Sequence, residues 1–192
     1  MKIKCEVSVR HVHLSQKDLE SLFGAGAELE FVRELSQPGQ FLSAQKVDLI
    51  GPKRSILGVS VLGPCRAETQ VEISRTDCFT LGIKDVPVRQ SGMLQGSPGI
   101  ILKNGDNQVQ LTHGVVVAQR HVHMHTDTAK KEGFVDGDMA ELVIEGERGG
   151  VLSNAVVRVN PSFGDSVHLD SDEGNGLGFK CGTEITIRKM GK

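Results

Sequence analysis

Histidine pairs occur at two places in this 192-residue sequence. The segment Val9-Arg10-His11-Val12-His13-Leu14 is matched by Gln119-Arg120-His121-Val122-His123-Met124. Because successive side chains of a strand point to opposite faces, the two histidines of each pair share one face and can bind one metal ion together. Imidazole nitrogen is a common zinc ligand, and copper, nickel or iron also accept it. Two copies in matching context predict a metal site, with zinc as the favoured ion.

The three other histidines differ in their surroundings. His168 lies in the alternating segment Ser166–Asp170, beside an acidic, glycine-rich stretch that is typical of a turn, and it is a further candidate ligand. His125 aligns with Ser15, where the first copy begins a helix, so we expect it at the surface or behind the ligands. His113 precedes an apolar run and is expected in a turn.

The elements that must hold these residues are mostly short alternating segments separated by turns rich in Gly and Asn. About a dozen such segments predict an all-β protein with a few short α-helices, built as two small β-barrels. Ser15, followed by Asp18, resembles a capping box before a helix that ends at Gly24 or Gly26. We expect Thr126 or Asp127 to cap a second short helix.

Composition excludes several classes of function. The net charge is −2, and the chain has no Trp, no Tyr and seven Phe. Without a basic field or aromatic residues for stacking, we expect no binding to nucleic acid and no membrane insertion.

The N-terminus enters strand-like sequence without an apolar signal segment, which predicts a cytoplasmic protein. The four cysteines form no C-x-x-C pair and are expected to be reduced, buried thiols.

Five separated motifs resemble the phosphate propanoyltransferases of the PduL type, a family of phosphotransacylases. The matching stretches are R-H-V-H-L-S at 10–15, G-P-x-R-x-x-T-Q-V-E at 63–72, R-H-V-H-M at 120–124, G-F-V-D-G-D at 133–138 and V-H-L-D-S-D-E-x-N at 167–175. The resemblance implies that the N-terminal strand joins the barrel of the C-terminal half. It divides the chain into one barrel of residues 1–28 with 116–192 and another of residues 29–115.

The activity that the resemblance implies is exchange of coenzyme A and phosphate on a short acyl group, propanoyl or acetyl, with two zinc ions. The metal ligands that it implies are His11, His13, Glu72, His121, His123 and His168. Three protein ligands and an open position are typical of a catalytic zinc ion. The partition of these six residues between two ions stays open, and one ligand could bridge both.

The resemblance also implies residues that handle the anionic substrates. Arg66 and Arg158 would be catalytic, whereas the coenzyme A contacts would be Arg66, Phe79 and Asn175, with Phe79 reaching the coenzyme A of the partner in a homodimer. Taken alone, Arg66 would be a surface arginine and Phe79 a core residue. Arg158 alternates with valines and needs an anionic partner. Phosphate is one candidate, and Glu141 or Glu145 are the others.

Several alternatives stay open at this point. The same ligands would suit a dinuclear zinc hydrolase, and a non-enzymatic β-barrel binding module would need only a structural metal or none. Cys65 is a less favoured candidate for a covalent acyl-enzyme route. Arg10 and Arg120 face away from the histidines and are interpreted as structural, ion-paired residues. The Gly-Ser segments at 90–92 and 96–99 are interpreted as ordinary loops, with phosphate binding as the alternative.

Localisation within the family varies. Members that take part in propanediol degradation inside bacterial microcompartments carry an N-terminal targeting helix, whereas ten residues precede His11 here. We expect either a freely cytoplasmic member or a chain from which such a segment is missing.

Overall fold

A computed structural model describes residues 1–191 as a mostly β protein with four short helices. In chain order the elements are β1 (Lys2–Ser8), β2 (His11–His13), α1 (Gln16–Phe23), β3 (Phe31–Glu34), β4 (Phe41–Ile50), β5 (Ser55–Gly63), β6 (Gln70–Glu72), α2 (Arg75–Leu81), β7 (Val88–Arg89), β8 (Ile101–Asn104), β9 (Asn107–Gln110), β10 (Val115–Ala118), β11 (His121–Met124), α3 (Thr126–Glu132), β12 (Met139–Ile144), β13 (Gly150–Val159), β14 (Ser166–Asp170), α4 (Ser171–Leu177) and β15 (Glu184–Lys189). The predicted all-β class is confirmed. Among the described residues, the helices are too short and too polar to cross a membrane.

The two helices predicted from the sequence are present. Ser15 caps α1 by accepting a hydrogen bond from the backbone N–H of Asp18, and α1 ends at Gly24. The cap predicted for α3 was wrong. His125 caps this helix through a side-chain bond from the Asp127 N–H, because a cap must lie one residue before the first helical residue.

Two further helices follow strands that carry candidate ligands. Ser74 and Asp77 form a capping box at the start of α2, and Asp170 and Glu173 form another at the start of α4. The acidic stretch after His168 was expected to be a turn, but this capping box makes it helical. The same spacing of cap and acidic residue was present in the sequence as a signal for both helices.

The first compact unit consists of Met1–Val9 and the chain from Gln119 onwards. Its strands form a closed barrel in the order β1-β14-β11-β13-β12-β15. β1 is parallel to β14 and antiparallel to β15, so the predicted entry of the N-terminal strand into the barrel of the C-terminal half is confirmed. Its core contains alternating strand residues such as Ile3, Val122, Leu142 and Ile187.

The second compact unit is the continuous segment Arg10–Ala118. Where the sequence predicted another small barrel, the strands form a nine-stranded sheet in the order β7-β10-β6-β2-β5-β4-β8-β9, with β3 paired to β4. Helix α1 buries Leu19 and Leu22 in the core of this unit, beside strand residues such as Val61 and Leu102.

The first boundary between the units therefore differs from the expected one. It falls between Val9 and Arg10 rather than after residue 28. The reason is strand pairing: β2 is hydrogen-bonded to β5 and β6, and α1 packs against β8 and β9. The second boundary, after Ala118, lies close to the expected position after residue 115.

The internal repeat extends beyond the histidine pairs. β1 leads into the first pair and β10 leads into the second. In the first unit Cys5 of β1 lies opposite Val167, whereas in the second unit Val115 of β10 lies opposite Val71, and both pairings are parallel. The strand that precedes each histidine pair thus belongs to the unit that contains the other pair. The two copies have exchanged their first strands.

Each histidine strand is tied to a capped helix through the preceding arginine. Arg10 binds Asp77 Oδ1 through Nε and Nη2 at 2.9 and 2.7 Å. Arg120 binds Glu173 Oε1 through Nε at 2.7 Å. Asp77 and Glu173 are the third residues of α2 and α4, so the same contact recurs in both units. The expected ion pairs of both arginines are confirmed.

Replacing Arg10 with Met should lower the free energy of unfolding by about 1–2 kcal/mol, because the buried Asp77 carboxylate would lose its cation. The loss stays this small because water screens part of the ion pair at the half-exposed Arg10 side chain. Urea unfolding followed by far-ultraviolet circular dichroism measures this change. The exposed Arg54→Met is the matched control. Equal stability of the two variants would contradict the structural role.

Candidate functional site

Three histidines of the first unit share one face of β11 and β14. These strands are antiparallel, with His121 directly opposite His168, and His123 follows two residues along the same face. The ring centroids lie 4.7 Å apart for His121 and His123, 4.9 Å for His121 and His168, and 4.8 Å for His123 and His168. One ring nitrogen from each residue lies within 4.8 Å of the others. The spacing suits three ligands around one ion.

Hydrogen bonding leaves ring nitrogens available in this set. His121 Nδ1 lies 2.9 Å from the carbonyl oxygen of Gln119. Because a carbonyl only accepts, Nδ1 carries the proton and Nε2 is the unprotonated nitrogen of the neutral ring. His123 Nδ1 is buried without a hydrogen-bond partner among residues 1–191. An unsatisfied buried nitrogen is costly, and a metal ion bound there would satisfy it.

His123 is held in the form that binds metal. Burial, followed by the charges of His121, His168 and Arg158, lowers the pKa of His123 to about 2. A lowered pKa means that the charged imidazolium is disfavoured, so His123 is neutral at physiological pH. Neutral imidazole is the species that coordinates a cation.

Arg158 lies beside the three-histidine set. It is the partner of His123 in the parallel pairing of β11 and β13. Its guanidinium carbon is 5.8 Å from the ring centroid of Phe163, and that ring is 4.3 Å from the ring of His123. Within the described residues Arg158 makes no ion pair with Glu141 or Glu145, the two alternative partners considered from the sequence. Its donors are therefore available for an external anion.

The second unit contains an equivalent set on β2 and β6. These strands are antiparallel, with His11 opposite Glu72 and His13 opposite Gln70. His11 Nε2 lies 3.5 Å from Glu72 Oε2, and the rings of His11 and His13 meet edge to face with centroids 5.0 Å apart. One possible ligand atom from each of His11, His13 and Glu72 lies within 4.8 Å of the others. All three side chains are buried.

Charge within this second set favours metal binding in the same way. Burial, followed by the nearby His11 and Arg66, lowers the pKa of His13 to about 3, against the opposing influence of Glu72 and a backbone hydrogen bond with Leu62. His13 Nδ1 also has no hydrogen-bond partner among the described residues. Burial alone would raise the pKa of Glu72, but His11, His13 and Arg66 outweigh burial and keep the pKa below its usual range.

Arg66 lies close to the second set. Its Nη1 donates to the Ser91 hydroxyl at 2.8 Å and lies 3.5 Å from Gln70 Oε1. A pocket of about 280 Å³ opens beside it, and its walls are His13, Pro38, Gly39, Gln40, Gly63, Pro64 and Arg66. A cavity that combines an imidazole, a guanidinium and small apolar residues can hold a small anionic ligand.

The six candidate ligands thus fall into two sets of three, one in each unit. The partition that the sequence left open is His121, His123 and His168 in the first unit, and His11, His13 and Glu72 in the second. Each set supplies three nitrogen or oxygen donors, and each contains one buried imidazole nitrogen without a partner among the described residues. These donors fit zinc with an open coordination position.

Two of the predicted substrate residues are exposed side chains on helices. Phe79 is 76% exposed on α2, with Lys53 Nζ 4.5 Å from its ring centroid, so the interpretation as a core residue was wrong. Asn175 is exposed on α4. Within the described part of the chain, neither makes a hydrogen bond, ion pair or ring contact with the candidate ligands of its own unit.

The two histidines that were set aside also lie outside both sets. His113 is exposed beside Glu68, at 3.3 Å. His125 is the half-exposed cap of α3.

The sequence reasoning missed Gln70 and Phe163, which contact the sets directly. Gln70 had a signal, since it shares a strand face with Glu72, whereas Phe163 had none because its contact with His123 is long-range.

Comparison with known proteins identifies the family of this chain. The family model for phosphate propanoyltransferase matches residues 4–180. The chain is 46% identical to a phosphate propanoyltransferase of Leptotrichia buccalis over 184 residues, which cover 96% of this chain and 87% of the relative. It is 44% identical to one of Listeria monocytogenes over 190 residues, with 99% and 89% covered, and 48% identical to one of Alkaliphilus metalliredigens over 183 residues, with 95% and 86% covered. The resemblance seen in the motifs is confirmed, and this chain belongs to the phosphate propanoyltransferase family of acyltransferases.

Proposed function

We propose that this chain exchanges coenzyme A and phosphate on a short acyl group, with one zinc ion held by each set of three residues. The observation that carries the proposal is the pair of ligand sets, each with a neutral imidazole beside an arginine. The cation next to each set suits a reaction in which both substrates carry phosphate groups.

The reaction starts with an acyl thioester and inorganic phosphate. An oxygen of hydrogen phosphate attacks the carbonyl carbon, and the carbon–sulfur bond breaks. Coenzyme A leaves as the thiolate, which takes up the proton that the phosphate group gives up, so the products are acyl phosphate and the free thiol. Arg66 and Arg158 would each be able to bind phosphate oxygens beside the ligand set of its own unit. A phosphate held in this way no longer carries the full entropy cost of bringing the reactants together. Zinc, when bound, supplies Lewis-acid neutralisation of the charge on phosphate and carbonyl oxygens.

This direct route needs no covalent acyl-enzyme. The alternative nucleophile considered from the sequence is Cys65, which precedes Arg66. Burial raises the pKa of the Cys65 thiol. Because the thiolate is the nucleophilic form, a raised pKa makes this cysteine a poor attacking group at neutral pH. The chemistry of the chain therefore favours direct attack by phosphate.

The finer parts of the proposal concern substrate contacts and assembly. The pocket of about 280 Å³ beside Arg66 would receive phosphate together with the short acyl group, propanoyl or acetyl. Asn175 and the exposed Phe79 would contact coenzyme A, with Phe79 reaching the active site of the partner in a homodimer. A wide, exposed aromatic ring suits stacking on an adenine base. The protein would act in the cytoplasm or inside a bacterial microcompartment, in propanediol degradation.

Coenzyme A release from propanoyl-CoA and acetyl-CoA should require phosphate. We expect rapid thiol release only when phosphate is added. Chelation of the metal and the His123→Ala substitution should each abolish this release, and returning zinc to the chelated wild-type protein should restore it. A thiol-reactive dye measures the rate. Release without phosphate in the zinc-loaded protein would instead indicate a dinuclear hydrolase, and no release with no bound metal would indicate a binding module.

Metal content should separate the two sets. Wild-type protein should retain two zinc ions per chain after dialysis, whereas His13→Ala and His123→Ala should each retain one, because each removes a ligand from one set only. Elemental analysis by mass spectrometry measures the ratio. His113→Ala, an exposed histidine outside both sets, should keep two ions. Loss of both ions in either single variant would contradict two separate sites.

Replacing Arg66 with Lys should lower kcat/KM for phosphate by roughly 10- to 100-fold, since the planar fork that binds two oxygens is lost while the charge is kept. Initial rates at varied phosphate concentration measure this, and bound zinc should stay at the wild-type level. The exposed Arg54→Lys serves as the control. A change of less than twofold in Arg66→Lys would remove Arg66 from phosphate binding.

A further inference from the structure

The two carboxylate oxygens of Glu72 have different surroundings. Oε2 lies 3.5 Å from His11 Nε2, on the side of the candidate ligand set. Oε1 accepts a hydrogen bond from the Gln70 side-chain amide and another from the Ser91 hydroxyl, the latter at 3.0 Å. One oxygen is therefore held by the protein, while the other is directed toward the histidines.

Ser91 has its hydrogen-bonding capacity fixed by its neighbours. Arg66 Nη1 donates to its hydroxyl oxygen at 2.8 Å, and Gln70 Nε2 donates at 3.0 Å. Because these two nitrogens can only donate, the single hydroxyl proton must point to Glu72. The backbone N–H of Gly92 also donates to Gln70 Oε1 at 2.8 Å. These bonds hold the 91–92 loop against β6 in one arrangement.

The first unit carries the same kind of contact at the equivalent place. Ser166 lies opposite His123 across β11 and β14, as Gln70 lies opposite His13 across β2 and β6. The Ser166 hydroxyl is 3.0 Å from Nε2 of His168, the third residue of that set. In both units, therefore, the residue two positions before the third candidate ligand binds that ligand. The recurrence argues for a role at the site rather than a local packing accident.

We propose that Gln70 and Ser91 are positioning residues that hold Glu72 as a one-oxygen metal ligand and couple it to Arg66. This inference rests on the proposed metal-dependent function. By holding Oε1, the two side chains keep Oε2 toward His11 and His13 before any ion arrives, so binding does not have to order the carboxylate. Ser91 also fixes one nitrogen of Arg66, which joins the candidate phosphate-binding residue to the candidate metal ligands.

The expected effect is on zinc affinity. Outer residues that orient a ligand contribute roughly 10- to 100-fold in affinity. Ser91→Ala and Gln70→Met should each weaken zinc binding by that amount, because each leaves Oε1 with one donor. Ser91→Thr keeps the hydroxyl and should stay within threefold of its parent. Ser43→Ala removes another buried hydroxyl of the same unit, bonded to Val61 and not to the site, and should bind like the parent.

The test uses full-length protein that carries His123→Ala, so that only the second set binds zinc tightly. Zinc affinity is measured by competition with a chelating dye, and circular dichroism establishes that each variant is folded. Affinity unchanged in both Ser91→Ala and Gln70→Met would overturn the inference, and so would equal losses in Ser91→Ala and Ser91→Thr. If Ser91→Ala does not fold, Gln70→Met with the threonine variant decides. Absence of zinc binding in the His123→Ala parent itself would instead overturn the proposed metal dependence.

Discussion

The antiparallel pairing of each histidine strand with one neighbouring strand is the constraint on which both candidate sites depend. Alternation alone puts two imidazoles on one face. Pairing in register then fixes the third donor, because His121 lies opposite His168 and His11 lies opposite Glu72. A slip of one residue would turn the third donor to the other face of the sheet and leave two ligands. The buried valines between the histidines, Val12 and Val122, make such a slip costly.

The same constraint explains why the supporting contacts recur. In each unit the N-cap of a helix lies two residues after the third donor, and the third residue of that helix binds the arginine that precedes the histidines. The pairing, the capping box and the ion pair therefore form one module that is used twice. Each module is completed by a parallel strand, β1 in one unit and β10 in the other, which comes from the opposite copy of the repeat. A duplication with exchanged first strands accounts for the discontinuous first unit.

The two sets are similar in construction but different in charge. Three imidazoles form the set in the first unit, whereas a carboxylate replaces one of them in the second. The carboxylate brings a negative charge, and the second unit surrounds it with Arg66, Gln70 and Ser91. In the first unit an aromatic ring and Arg158 lie beside the imidazoles instead. A set without a carboxylate would leave more positive charge on a bound ion than a set that contains one.

By itself the sequence determined the features that depend on local geometry. The alternation His-x-His, the Ser15 cap, the all-β class and the five family motifs all follow from residues close together in the chain, and the motifs were sufficient to identify the family. The sequence left open the division of the six donors into two sets and the contacts of Ser91 and Phe163, and it led us to expect β2 in the other unit. Tertiary structure decided these, because strand partners such as β2 and β6 are far apart in sequence and many registers satisfy the same hydrophobic pattern. Only the packed core of each unit, in which one register buries every apolar face, selects among them.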